Sequence, residues 1–154
     1  ILVKERGESN LRFVLIGDPR QISFEQLYGY IEECGVSEYV FLLGAKSPIE
    51  PYISMSDVLV ATSENEGLGR TLIEALTLKI PVVASNSGGH LEIIEDTVNG
   101  FLYPLGDIDS LANIVIKALT LESENMVQTG FKSAKKRFSV SNHARQIEAI
   151  YQNM

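Results

Sequence analysis

Short apolar runs rich in β-branched residues alternate with longer stretches of helical periodicity along most of the chain. The runs at Leu11–Ile16, Val40–Leu43, Val58–Ala61, Pro81–Ala84 and Gly100–Tyr103 read as strands. They are nearly continuous in apolar character, which marks strands covered on both faces, as in a parallel sheet between helices. Ser23–Cys34 reads as a helix that Ser23 caps and Gly35 ends, because the hydroxyl satisfies a free N–H and glycine tolerates a left-handed exit. Ile49–Met55 is a shorter helix, Arg70–Lys79 a longer one stopped by Pro81, and His90–Glu95 a brief one after the Gly88–Gly89 turn. Beyond Tyr103 the strand pattern ends, and helices follow at Ile108–Leu119, Met126–Phe138 and Ser141–Tyr151, with Asp107 and Ser141 as N-caps. In the first of these, Ile108, Leu111, Ala112, Val115, Ile116 and Leu119 form a stripe for packing on the sheet. Ile1–Arg6 reads as the last turns of a helix in a chain that opens like a cut piece. The predicted fold is α/β: a three-layer Rossmann-like parallel sheet lacking its first strand, in a single domain over residues 1–154.

Composition narrows the function. At 154 residues, 45% hydrophobic and 21% charged, the chain is ordinary globular material with enough length for one good core. Cys34 is the only cysteine, and with just His90 and His143 beside it there is no zinc ligand set. No apolar run approaches the roughly 20 residues of a membrane span and no leader pattern opens the chain, so the expected location is the cytoplasm. A net charge of −7 without a basic run argues against nucleic acid as a partner. The nearest cluster, Lys132, Lys135, Lys136 and Arg137, reads as a solvated helix face.

Ligands of open α/β sheets gather beyond the carboxyl ends of strands, which directs attention to Gly17–Arg20, Gly44–Lys46, Ser63–Gly69 and Ser85–Gly89. The third loop is the richest. Its glycines let backbone approach a ligand, and the helix start that follows offers the amides of Arg70, Thr71 and Leu72 to an anion such as a diphosphate. Glu66 in the loop and Glu74 one turn into the helix stand eight positions apart, and a carboxylate can accept from two vicinal hydroxyls of a sugar or ribose. Glu25 and Glu33 share that spacing inside one helix and read as a solvated face. Glu74 has a competing role as the exposed ion-pair partner of Arg70, four residues before it. Ser87 near His90 is the closest approach to a nucleophile and base, and without an organised acid it reads as a helix-capping turn.

The block from Glu66 to Leu76, with Pro81–Ser85 and then Gly88-Gly89-His90-Leu91-Glu92, resembles the C-terminal domain of the retaining glycosyltransferases of family 4. Asn99–Leu102 with Asp107, and Phe138-Ser139 before the final helix, extend the resemblance to nearly the whole chain. It implies the donor-binding half of a two-domain GT-B enzyme that transfers sugar from a nucleoside diphosphate sugar with retention, in glycan, polysaccharide or glycolipid biosynthesis. The partners it implies are the nucleotide-sugar donor and an N-terminal acceptor-binding domain of the same chain, through which peripheral membrane contact could occur. No metal or other cofactor is implied. By the same resemblance Glu66 is the catalytic-site residue holding donor-sugar hydroxyls, and Glu74 holds the ribose. The amides of Gly67, Leu68 and Gly69 line the sugar, those near Thr71 and Leu72 meet the diphosphate, and Gly44 to Lys46 lie near the base.

The chain departs from the family pattern at four places. Leu68 stands where Phe is usual, Lys79 where Gly usually ends the helix, and Gly17-Asp18-Pro19-Arg20 lacks a second glycine before its proline. Nothing before Leu11 matches the basic pair that in this family neutralises the diphosphate. A second reading is a non-catalytic partner or regulatory module of the same fold. A flavodoxin-like receiver would want clustered acids after the first strand, where Asp18 stands alone.

Overall fold

The computed structural model describes residues 1–19, 22–120 and 124–152, in two compact units, Ile1–Ile49 and Glu50–Met154. In the first unit, β1 (Phe13–Ile16) and β2 (Val40–Gly44) pair in parallel, with Phe13 opposite Val40 and a register slip that brings Ile16 opposite Gly44. Between them runs α1 (Phe24–Glu33). Ser23 Oγ accepts from the Gln26 N–H at 3.2 Å, and Gln26 Oε1 accepts from the Ser23 N–H at 2.9 Å, a reciprocal capping box. The helix leaves through Gly35 at φ +62°, as its sequence predicts. Ile1–Arg6 is a hydrogen-bonded turn and not the helix end expected: the amides of Glu5 and Arg6 converge on the Ile1 carbonyl, and so short a stretch does not repay helix nucleation. Arg20, in the loop after β1, lies outside the described residues.

The second unit runs α2 (Glu50–Ser54), β3 (Leu59–Ala61), α3 (Arg70–Thr77), β4 (Val82–Ser85), α4 (His90–Ile93), β5 (Phe101–Tyr103), α5 (Ile108–Ala118), α6 (Glu124–Arg137) and α7 (Val140–Gln152). Its strands are parallel in the order β3–β4–β5. Every residue of central β4 is buried, which is why Val82-Val83-Ala84-Ser85 carries no polar alternation. Helix α3 buries Leu72, Ala75 and Leu76. Helix α6 comes close enough that a Cβ on Gly130 would stand 2.6 Å from Leu76 Cδ2 and 2.8 Å from the Asn99 carbonyl oxygen.

Three local expectations are corrected. The buried stripe of α5 is Ala112, Val115 and Ala118, while Ile108, its first residue, and Leu119, its C-cap, are exposed. Helix α4 stops at Ile93 because the Asn99 side chain takes over its end, donating to the Ile93 carbonyl at 3.0 Å and accepting from the Glu95 N–H at 2.8 Å. The cap of α7 is Ser139, whose hydroxyl accepts from the Asn142 N–H at 3.2 Å; Ser141 already lies inside the helix.

Candidate functional site

The loop from Ser63 to Gly69 joins β3 to α3 and is sewn to the turn that follows β4. The Gly89 N–H donates to the Glu66 carbonyl at 2.8 Å, and the Ser87 hydroxyl donates to the Glu64 carbonyl. Ser87 is therefore a tie between loops, not the helix cap expected of it. Both glycines of the turn are required by contact. A Cβ at 88 would stand 2.9 Å from the Glu66 carbonyl oxygen, and one at 89 would overlap the Gly67 carbonyl. Gly69 turns into α3 in the left-handed region at φ 71°, ψ 52°.

This turn leaves a row of donors. Among the described residues, no backbone amide from Gly67 to Thr71 meets an acceptor in the chain. Successive free amides at a helix start form a concavity of partial positive charge suited to an anion. Leu72 departs from expectation: its N–H donates to the Gly69 carbonyl at 2.9 Å and its side chain is fully buried, so it is a core residue whose amide is already taken.

Glu66 is exposed, with Oε2 3.4 Å from the Ser63 hydroxyl. Glu74 is half-buried, and its Oε2 is enclosed without any hydrogen-bond partner. The ion pair with Arg70 that would have explained it structurally does not form. Leu68, Arg70 and Glu74 share an open cleft of about 830 Å³ with Lys136, Arg137 and His143. The cationic cluster of α6 is solvated, as predicted, and two of its members, Lys136 and Arg137, also give this cleft a positive wall in a chain of net charge −7, a role that helical spacing alone does not show. Arg137 is held there by donating to the Glu92 carbonyl.

His90 is the site residue that the sequence reading undervalued. It is 1% exposed at the start of α4 and both ring nitrogens are engaged. Nδ1 lies 3.0 Å from Ser85 Oγ and 3.1 Å from the Ser85 carbonyl, and Nε2 lies 3.3 Å from Ser63 Oγ. A histidine between a Gly-Gly turn and an apolar helix face was the available signal. Gly44, at φ +68°, and Lys46 belong to the first unit, at the end of β2 and in the loop after it.

Comparison with known proteins places this arrangement in a family. EpsD of Bacillus subtilis (strain 168) is 36% identical over 154 residues, covering 97% of this chain and 39% of EpsD. The UDP-Gal:alpha-D-GlcNAc-diphosphoundecaprenol alpha-1,3-galactosyltransferase of Escherichia coli is 30% identical over 132 residues, covering 80% of this chain and 34% of the enzyme. The chain thus spans well under half the length of these relatives. The crystal structure of Anabaena Alr3699/HepE in complex with UDP superposes with a TM-score of 0.89 at 29% identity, over 95% of this chain and 42% of HepE; its complex with UDP-glucose gives 0.87. The fold is accordingly the Rossmann-like α/β fold of GT-B glycosyltransferases. Residues 2–137 match the family described as glycosyl transferases group 1, and the chain belongs to that family.

Proposed function

We propose that the chain is the donor-binding, C-terminal domain of a retaining family 4 glycosyltransferase that takes its sugar from a nucleoside diphosphate sugar, in polysaccharide or glycolipid biosynthesis. One observation carries this reading: the enclosed, unpartnered Oε2 of Glu74 stands on the helix whose start offers the free amides of Gly67 to Thr71. A buried carboxylate oxygen without a donor costs free energy that a ribose hydroxyl would recover. The amides and the wall of Arg70, Lys136 and Arg137 complement a diphosphate, and exposed Glu66 is free to accept from the donor sugar. The UDP and UDP-glucose complexes of HepE support the same ligand class.

In this reading residues 1–154 belong to the nucleotide-sugar-binding half of the enzyme. An N-terminal domain of the same chain brings the acceptor and any peripheral membrane contact, on the cytoplasmic side. Among the described residues no helix is long and apolar enough to cross a membrane. The bond from the anomeric carbon to the diphosphate oxygen breaks while the acceptor oxygen attacks the same face, and the leaving diphosphate takes the acceptor proton. The protein supplies positioning and charge stabilisation and requires no metal. Glu66 holds the sugar hydroxyls as positive charge builds on the ring.

The test is kinetic, in the full-length enzyme, following nucleotide release from the fastest of UDP-glucose, UDP-galactose, UDP-N-acetylglucosamine and GDP-mannose. Glu66→Gln should lower kcat by about 10²-fold, because the weakened contact acts as charge develops. Glu74→Gln should chiefly raise donor KM, the mark of binding shared by ground and transition states. A Glu66→Gln variant with wild-type turnover removes the sugar from this loop.

A further inference from the structure

We propose that His90 is a positioning residue that fixes Glu66 through the Ser63 hydroxyl. The inference rests on the reading of Glu66 as the donor-sugar contact and adds to it the device that holds that carboxylate in place.

The hydrogen-bond roles follow from one short contact. Ser85 Oγ donates to the Ser63 carbonyl at 2.6 Å, so it meets His90 Nδ1 with a lone pair. The Ser85 carbonyl, the other neighbour of Nδ1, is also an acceptor. Nδ1 therefore carries the hydrogen, and in the neutral ring Nε2 is left as an acceptor facing Ser63 Oγ. Ser63 has one hydroxyl hydrogen between two acceptors, His90 Nε2 at 3.3 Å and Glu66 Oε2 at 3.4 Å. Sharing of this kind lengthens both contacts, as in three-centre hydrogen bonds generally.

Ser63 is thereby clamped twice, at its carbonyl by Ser85 and at its hydroxyl by His90. The buried imidazole has both nitrogens satisfied, Nδ1 at the end of β4 and Nε2 in the loop that carries Glu66, so it links the two. Glu66 is exposed, and a free glutamate samples many rotamers; a fixed hydroxyl beside Oε2 narrows them before the donor arrives. Leu72 Cδ1 and the His90 ring also close around Gly69, so the loop backbone and the carboxylate are held by the same buried group.

Three substitutions test this in the full-length enzyme, with nucleotide release as the readout and UDP titration as the check on folding. Ser63→Ala removes the shared hydroxyl. His90→Asn keeps an amide near the Nδ1 position but does not reach Ser63, whereas His90→Gln places one near Nε2. Ser63→Ala and His90→Asn should each lower kcat about tenfold with donor KM within about twofold, as expected of a misplaced reacting group. The double variant should be no slower than either single one, and His90→Gln should recover most of the loss. Wild-type kcat in Ser63→Ala, or losses that multiply in the double variant, would overturn the proposal; if His90→Asn does not fold, Ser63→Ala decides alone. Glu66→Gln run beside them separates the two levels of the argument. If it lowers kcat while Ser63→Ala does not, only the positioning role fails; if it leaves kcat unchanged, the reading beneath it fails too.

Discussion

Gly89 and Gly67 meet backbone to backbone: the Cα of Gly89 faces the Gly67 carbonyl so closely that any Cβ at 89 would overlap it. The turn after β4 thus sets the position of the loop that carries Glu66 and the free amides. Gly89→Ala should push that loop outward and weaken nucleoside diphosphate binding as well as stability. Gly130→Ala makes a useful contrast, since its Cβ would strike Leu76 and Asn99 between α3 and α6. It should destabilise by about 1–3 kcal/mol while the remaining folded protein binds normally. Urea unfolding and a nucleotide titration on both variants distinguish the effects.

Lys79 occupies the residue after the cap of α3 with φ 60°, in the left-handed region that glycine adopts most easily. The Ile80 N–H returns to the Ala75 carbonyl at 2.9 Å and the Lys79 N–H to the Leu76 carbonyl at 3.2 Å, the two bonds of a Schellman end. The ammonium lies 4.9 Å from the Phe131 ring centroid, which offsets part of the backbone strain. Lys79→Ala keeps the strain and loses the ring contact. Lys79→Gly should be more stable than Lys79→Ala by about 1 kcal/mol, measured as a difference in urea midpoints.

Asp107 caps α5, its carboxylate accepting from the Ser110 N–H at 2.9 Å and the Ser110 hydroxyl at 2.7 Å. The backbone bond first, and then the hydroxyl, hold its carboxyl below the usual aspartate range. A depressed folded-state value means the stabilisation is present above the unfolded value, about 3.9, and is lost as pH falls through the folded one. The stability gap between wild type and Asp107→Asn should therefore be widest near neutral pH and close in acid below about pH 4. Thermal melts from pH 7 down to 2.5 would show it.

Patterns that depend on neighbours in sequence were legible. The capped start of α1 at Ser23, its exit at Gly35 and the fully apolar β4 appear where the residues predict them. What depends on distant contacts was not. Ile108 fits a helical stripe as well as Ala118 does, yet the first is exposed and the second buried, a difference set by what packs against each and not by helical spacing. At the site, the glycine turn and the two glutamates could be read from spacing, and their family resemblance from their order. The Ser63–His90–Ser85 chain and the tie from the Ser87 hydroxyl to the Glu64 carbonyl bring together groups 22 to 27 positions apart. No local pattern encodes those contacts.

The central claim is that Glu74 holds the ribose of a nucleoside diphosphate, and calorimetric titration of UDP into this chain and its Glu74→Ala variant tests it most directly. Loss of a charged acceptor for two hydroxyls should weaken binding by about tenfold or more, with the fold intact by circular dichroism. Equal affinity for UDP in the two proteins would contradict the account and leave the enclosed oxygen of Glu74 without a ligand to explain it.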